Sequence, residues 1–124
     1  MKTFDELDCW KKITVLRRTL AEIVKVFPVD EKYRLTDQIT RAARSATSNI
    51  AEGYGRFHYQ ENIQYCRQSR GSLYELIDHL IVAKDEGYIS HEELAGLIHE
   101  ITSCLAVLNG YINYLRQAKT KNGA

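Results

Sequence analysis

Four polar side chains fall where two helices read from the sequence should meet: Asn49 and Glu52 on one, Ser72 and Glu75 on the other. Two carboxylates with an amide and a hydroxyl could act as a general acid–base pair or hold a polar ligand. The same four could form a buried hydrogen-bonded network that fixes helix register. The network is the favoured reading, because no nucleophile or activated histidine accompanies them. The histidines, His58, His79, His91 and His99, show no His-Glu-x-x-His or other metal spacing. His91 and His99 share a face about two turns apart and read as surface residues. One all-helical class of ribonucleases places His four to six residues after Arg, and no Arg of this chain is so followed. Cys9, Cys66 and Cys104 are odd in number and far apart, with no metal-ligand or redox spacing. They read as buried, reduced thiols of a cytoplasmic protein. The expectation is a chain with no catalytic residue, no metal, no cofactor and no small-molecule substrate.

The basic residues offer a different chemistry. Net charge is +1, but it is unevenly spread. Residues 1–31 are neutral, 32–70 carry +4, 71–100 carry −6, and the tail adds +3. Lys11, Arg18 and Lys25 are spaced by seven and form one stripe on the first helix. Arg34, Arg41 and Arg44 form another on the second; Arg67 and Arg70 lie close on the third, with Arg56 in the loop between. Clustered cations can bind phosphates by releasing counterions, without any base-reading motif. Tyr54, Phe57 and Tyr59 flank Arg56 and could stack on unpaired bases. The competing reading is a solvated face with intrahelical ion pairs.

Four helices must position these residues, over about 4–27, 31–54, 59–86 and 91–119, in one domain spanning 1–124. Pro28 is the only proline, so long helices are allowed elsewhere. Thr3-x-x-Glu6 reads as a capping box opening the first helix. Leu7, Trp10, Ile13, Leu16, Leu20, Ile23, Val24 and Phe27 then recur on one face. Asp30 reads as the cap of the second helix, whose inner face is unusually small: Leu35, Ile39, Ala42, Ala43, Ala46, Ile50 and Gly53. Gly53-Tyr54-Gly55 should end it through a left-handed glycine.

The third helix starts near Tyr59 and turns Ile63, Cys66, Leu73, Ile77, Leu80 and Ile81 inward. Gly71 in its middle costs about 1 kcal/mol against Ala, which predicts a backbone passing close by. Ser90-x-x-Glu93 is a second capping box, and Leu94, Leu97, Ile98, Ile101, Leu105, Leu108, Ile112 and Leu115 keep a heptad alternation on the fourth helix. Residues 119–124 read as frayed. Short connections make sequential helices antiparallel neighbours, giving an all-α, up-down-up-down four-helix bundle. No apolar run approaches the roughly 20 residues needed to cross a bilayer, and the acidic N-terminus does not read as a signal peptide. Phe57, Tyr59, Tyr65, Tyr74, Tyr88, Val107, Tyr111 and Tyr114 lie off the inner stripes, which favours self-association.

The stretch from Phe27 to Leu76 carries a recognisable pattern. Phe27-Pro28-x-x-Glu31-x-Tyr33-x-Leu35 leads into Gln38-Ile39-x-Arg41-Ala42. Ser45-x-x-Ser48-Asn49-Ile50-Ala51-Glu52-Gly53 follows, then Gly55-Arg56 and Gly71-Ser72-Leu73-x-Glu75-Leu76. This resembles the four-helix-bundle proteins encoded in intervening sequences of bacterial 23S ribosomal RNA genes, whose relatives resemble the accessory variability protein of diversity-generating retroelements. The resemblance implies a ring-like homopentamer, a role in binding nucleic acid, and no enzymatic activity. The chain departs from it at Ala46, where a larger apolar residue is usual, and at Phe57-His58-Tyr59, where Ser or Thr usually caps the third helix.

Two functions follow. In the first, Lys11, Arg18, Lys25, Arg41, Arg44, Arg56, Arg67 and Arg70 contact the phosphates of RNA or DNA, RNA being preferred, and repetition around an oligomer multiplies a weak patch. In the second, the protein is a protein-binding scaffold, and the same arginines pair with Glu75, Asp78 or Glu92 of neighbouring copies.

Overall fold

Apolar residues recurring every third or fourth position wind the chain into four α-helices: α1 (Asp8–Ile23), α2 (Leu35–Tyr54), α3 (Tyr59–Asp85) and α4 (His91–Asn122). The computed structural model describes residues 3–122, and no strand occurs among them. The helices pack in cyclic order, α1 on α2, α2 on α3, α3 on α4 and α4 on α1, and α2 with α3 share the most extensive interface. Ile13, Leu16, Leu20, Ile39, Ile50, Ile63, Leu73, Leu76, Leu80, Ile101, Leu108 and Ile112 are the largest fully buried side chains of the four-helix bundle. No helix among the described residues is long and apolar enough to cross a membrane.

Helix ends separate working caps from apparent ones. Ser90 and Glu93 form the expected capping box: the Ser90 N–H donates to Glu93 Oε1 at 2.9 Å, and the Glu93 N–H donates to Ser90 Oγ at 3.0 Å. Thr3 and Glu6 do not. Thr3 makes no side-chain capping bond, Phe4–Glu6 form a separate 3-10 turn, and extended Leu7 (φ −67°, ψ 130°) breaks the path before α1 begins at Asp8. Asp30 does not cap α2 either. It sits in a 3-10 turn, Val29–Glu31, and α2 begins only at Leu35, whose N–H donates to the Glu31 carboxylate at 3.4 Å.

Gly55 ends α2 in a right-handed conformation (φ −75°), so that terminus does not use a left-handed glycine. The left-handed glycine is Gly87 (φ +81°), after α3. There the Tyr88 N–H donates to the Ala83 carbonyl at 2.9 Å and the Gly87 N–H to that of Lys84 at 3.0 Å, a Schellman closure. Helix α4 stays helical through Asn122, so fraying does not begin at Lys119; residues 123 and 124 lie outside the described residues, as do Met1 and Lys2 of the N-terminal reading. Ile81, expected inside, is 40% exposed.

The close backbone approach expected at Gly71 occurs at Gly53 instead. A Cβ on Gly71 would meet nothing within 4 Å. A Cβ on Gly53 would lie 2.7 Å from Asn62 Oδ1, 2.9 Å from Tyr65 Cβ and 3.0 Å from the Asn62 carbonyl oxygen. The close approach of α2 and α3 therefore passes through Gly53.

Candidate nucleic-acid interface

Helices α2 and α3 are joined by a polar network, and it includes two of the four residues expected in it. Ser72 Oγ donates to Ser45 Oγ at 2.9 Å, and Asn49 Nδ2 donates to the same oxygen at 2.9 Å and to the Ser45 carbonyl at 3.0 Å. One turn along α3, buried Ser69 donates to the Ala46 carbonyl at 2.6 Å. The short side chains of Ser45, Ala46 and Ser69 let the backbones meet. Glu52 and Glu75 are exposed and stand outside this network. Glu52 lies 3.6 Å from Arg56, and Glu75 pairs with His79 at 3.0 Å. The geometry is that of a register pin, with the Glu52 carboxylate turned to Arg56 in the loop after α2 and that of Glu75 to His79 on its own helix.

On its opposite flank α2 meets α1 less closely. A cleft of about 150 Å³ opens there, floored by Leu20, Ala21, Ile39 and Ala43 and rimmed by Arg17, Arg18 and Arg44. No carboxylate lines it. Thr47, buried beneath, accepts a hydrogen bond from Arg17 Nη1 at 2.7 Å, which fixes one guanidinium in place. Arg18 and Arg44 are exposed and have no ion-pair partner within 4 Å among the described residues. Three arginines lining one small space, with no carboxylate in the lining, favour a phosphate or carboxylate from outside the chain.

The remaining basic residues do not join this cleft. Lys11 is exposed on α1. Lys25, in a 3-10 turn after α1, is paired with Glu22 at 2.6 Å, and Arg41 with Asp37 at 2.8 Å. Arg67 is exposed on α3, whereas half-buried Arg70 donates to Asn109 Oδ1 on α4 at 3.0 Å. Arg56 lies over the Tyr65 ring, 4.8 Å from its centroid, and donates to the Tyr65 hydroxyl at 2.6 Å. Within the chain the eight cations thus occupy several faces, and of the eight only Arg18 and Arg44 line this cleft.

One family pattern, that of the 23S rRNA-intervening sequence proteins, matches residues 5–110 of the chain. The chain belongs to the 23S rRNA-intervening sequence protein family. No curated relative gives a significant match. The matched span contains all of α1, α2 and α3, the arginine cleft and the register pin of this family member.

The thiols of this 23S rRNA-intervening sequence protein family member are free and buried, as their spacing suggested. Burial pushes Cys9 and Cys104 up to about 11 and Cys66 up to about 12. Among the described residues, no three His, Cys, Asp or Glu side chains cluster as metal ligands would.

Sequence spacing missed Arg17, Ser45 and Asn62. A seven-residue stripe through Lys11, Arg18 and Lys25 passes over Arg17, and nothing local reveals that Thr47, thirty positions away, holds it. Ser45 was visible in the family pattern. Its role as the shared acceptor depends on which face of α3 arrives opposite. Asn62 is nearly buried, donates to the Tyr111 hydroxyl at 3.2 Å and accepts from Cys66 Sγ at 3.5 Å.

Proposed function

We propose that this protein is a non-enzymatic, homo-oligomeric accessory protein that binds nucleic acid through basic helix faces, with RNA as the preferred ligand. The observation that carries the reading is the α1–α2 cleft, where Arg17, Arg18 and Arg44 surround an acid-free space. Phosphate oxygens are the natural complement of such a rim. The family name, which refers to sequences intervening in 23S rRNA, supports RNA over DNA.

The bundle is up-down-up-down, because the connections at 55–58 and 86–90 are short and consecutive helices pack on one another. Self-association is supported by exposed apolar side chains that one bundle leaves uncovered, among them Tyr74, Ile81 and Val82 on α3. A ring-like pentamer, as the family resemblance implies, repeats the arginine cleft five times and converts weak phosphate contacts into avid binding. The cellular setting is the cytoplasm, where free thiols persist.

Fluorescence anisotropy across a salt series tests the reading, with a structured ribosomal RNA fragment, duplex DNA and single-stranded DNA as ligands. Affinity should fall linearly on a log–log salt plot, and Arg18→Ala or Arg44→Ala should each lower the slope by about 1. No binding of any ligand at low salt would overturn it in favour of a protein-binding scaffold.

A further inference from the structure

A second concave feature lies where the α2–α3 loop meets the C-terminal half of α4. Tyr54, Phe57, His58, Tyr59, Tyr111 and Tyr114 line a cleft of about 250 Å³. Five of these six are phenyl or phenol rings, brought together from three segments of the chain. Phe57 is 92% exposed and Tyr114 61% exposed, so two ring faces stand in solvent. Each has an aromatic neighbour: Phe57 lies edge-on to His58 at 4.8 Å, and Tyr114 stacks on Tyr111 at 6.3 Å with 13° between planes. Rings left in solvent are costly in water and suit a flat apolar ligand.

The polar groups of the cleft limit what that ligand is. Arg56 and Asn62 complete its wall. Arg56 stands between two carboxylates, Glu52 at 3.6 Å and Glu61 at 3.8 Å, so its single positive charge offsets one of the two. Arg116, Lys119 and Lys121 follow on α4, and no acid occurs between Gly110 and Asn122. Lys119 is tied to this end of α3, donating to Gln60 Oε1 at 2.5 Å. Planar rings beside the basic C-terminal stretch of α4, which lies outside the cleft wall, match a ligand that is flat and apolar on its faces and anionic along its backbone. The volume falls below the roughly 300 Å³ at which drug-sized pockets begin, which suits a single planar ring system.

We propose that this cleft takes an unpaired nucleobase, so that the nucleic acid bound is single-stranded at this point. The inference rests on the nucleic-acid reading above and narrows its ligand class. Base stacking on aromatic side chains is available to any unpaired base and is denied to a base inside a duplex. The arginine cleft on α1–α2 contacts only phosphate and does not distinguish the two.

The test uses the full-length protein and a short single-stranded RNA carrying the fluorescent base aminopurine, with the corresponding duplex as its partner ligand. Aminopurine should be quenched on binding of the single strand. The double variant Phe57→Ala/Tyr114→Ala, both positions exposed, should lose the quenching and about tenfold in single-strand affinity, with duplex affinity unchanged. Arg18→Ala/Arg44→Ala should weaken both ligands alike. If the wild-type protein binds the strand without quenching, or the aromatic variant binds it as tightly as wild type, the base site is overturned while the phosphate reading stands. If that variant also dissociates the oligomer in native mass spectrometry with RNA affinity unchanged, the cleft belongs to a second copy of the chain. If neither ligand binds wild type at low salt, both readings fall.

Discussion

Helix α2 has two seams, and they differ in what their small residues accomplish. Towards α3, Ser45, Ala46 and Gly53 meet Ser69, Ser72 and Asn62, which are also short, and the helices come close enough for serine side chains to span the gap. Towards α1, Ala43 meets Arg17, Arg18 and Leu20, and the mismatch in length leaves a cleft. A small residue closes an interface only if its opposite number is small too; facing long side chains, it leaves a recess lined by whatever those side chains carry. In this protein they carry guanidinium groups, so one seam is structural and the other is available for binding.

Substitutions of glycine and serine should break or sharpen this contrast. Gly53→Ala should have the largest effect, because its Cβ would overlap Tyr65 Cβ and the Asn62 carbonyl, atoms that cannot move without shifting α3. A loss of about 2–3 kcal/mol is expected from overpacking, measured as a lowered urea midpoint at constant slope. An unchanged midpoint would mean that the α2–α3 seam is looser than its contacts indicate. Ser69→Ala comes next, at about 1 kcal/mol for one buried hydrogen bond to the Ala46 carbonyl; a loss no greater than that of an exposed serine would remove it from the seam. Gly71→Ala should act in the opposite direction and least. It lies outside both seams with nothing within 4 Å of its Cβ, so relief of helix-interior glycine should add about 0.5–1 kcal/mol. Destabilisation there would restore the close contact expected from sequence.

These contrasts mark where the sequence was legible. The four helices and most of their buried faces follow from apolar spacing, which is local information. Caps were legible only where both partners act. Ser90 and Glu93 bond reciprocally, whereas the same spacing at Thr3 and Glu6 fails because Leu7 interrupts the helix between them and α1. Gly71 was misread because a glycine's cost within a helix is local, while the reason for a glycine is tertiary. Gly53 has such a reason in Asn62; the small inner face of α2 was legible, but not that Asn62 arrives opposite Gly53. The basic stripes were legible as charges. Arg18 and Arg44 share a cleft because α1 and α2 are rotated to face each other there, and that rotation is set by the core. Ser72 and Asn49 were placed correctly in a network, but Glu52 and Glu75 have partners four residues along the chain, Arg56 and His79, and turn away.

The buried thiols have a practical consequence for any of these experiments. With values pushed up to about 11 or 12, Cys9, Cys66 and Cys104 are almost wholly protonated at neutral pH, and the reactive thiolate form is correspondingly scarce. Walled off as well, they are silent to maleimides until the bundle opens. A dye attached through Tyr114→Cys would therefore mark the aromatic cleft alone, with every native cysteine left in place, and slow labelling of the native three would serve as a clock for unfolding.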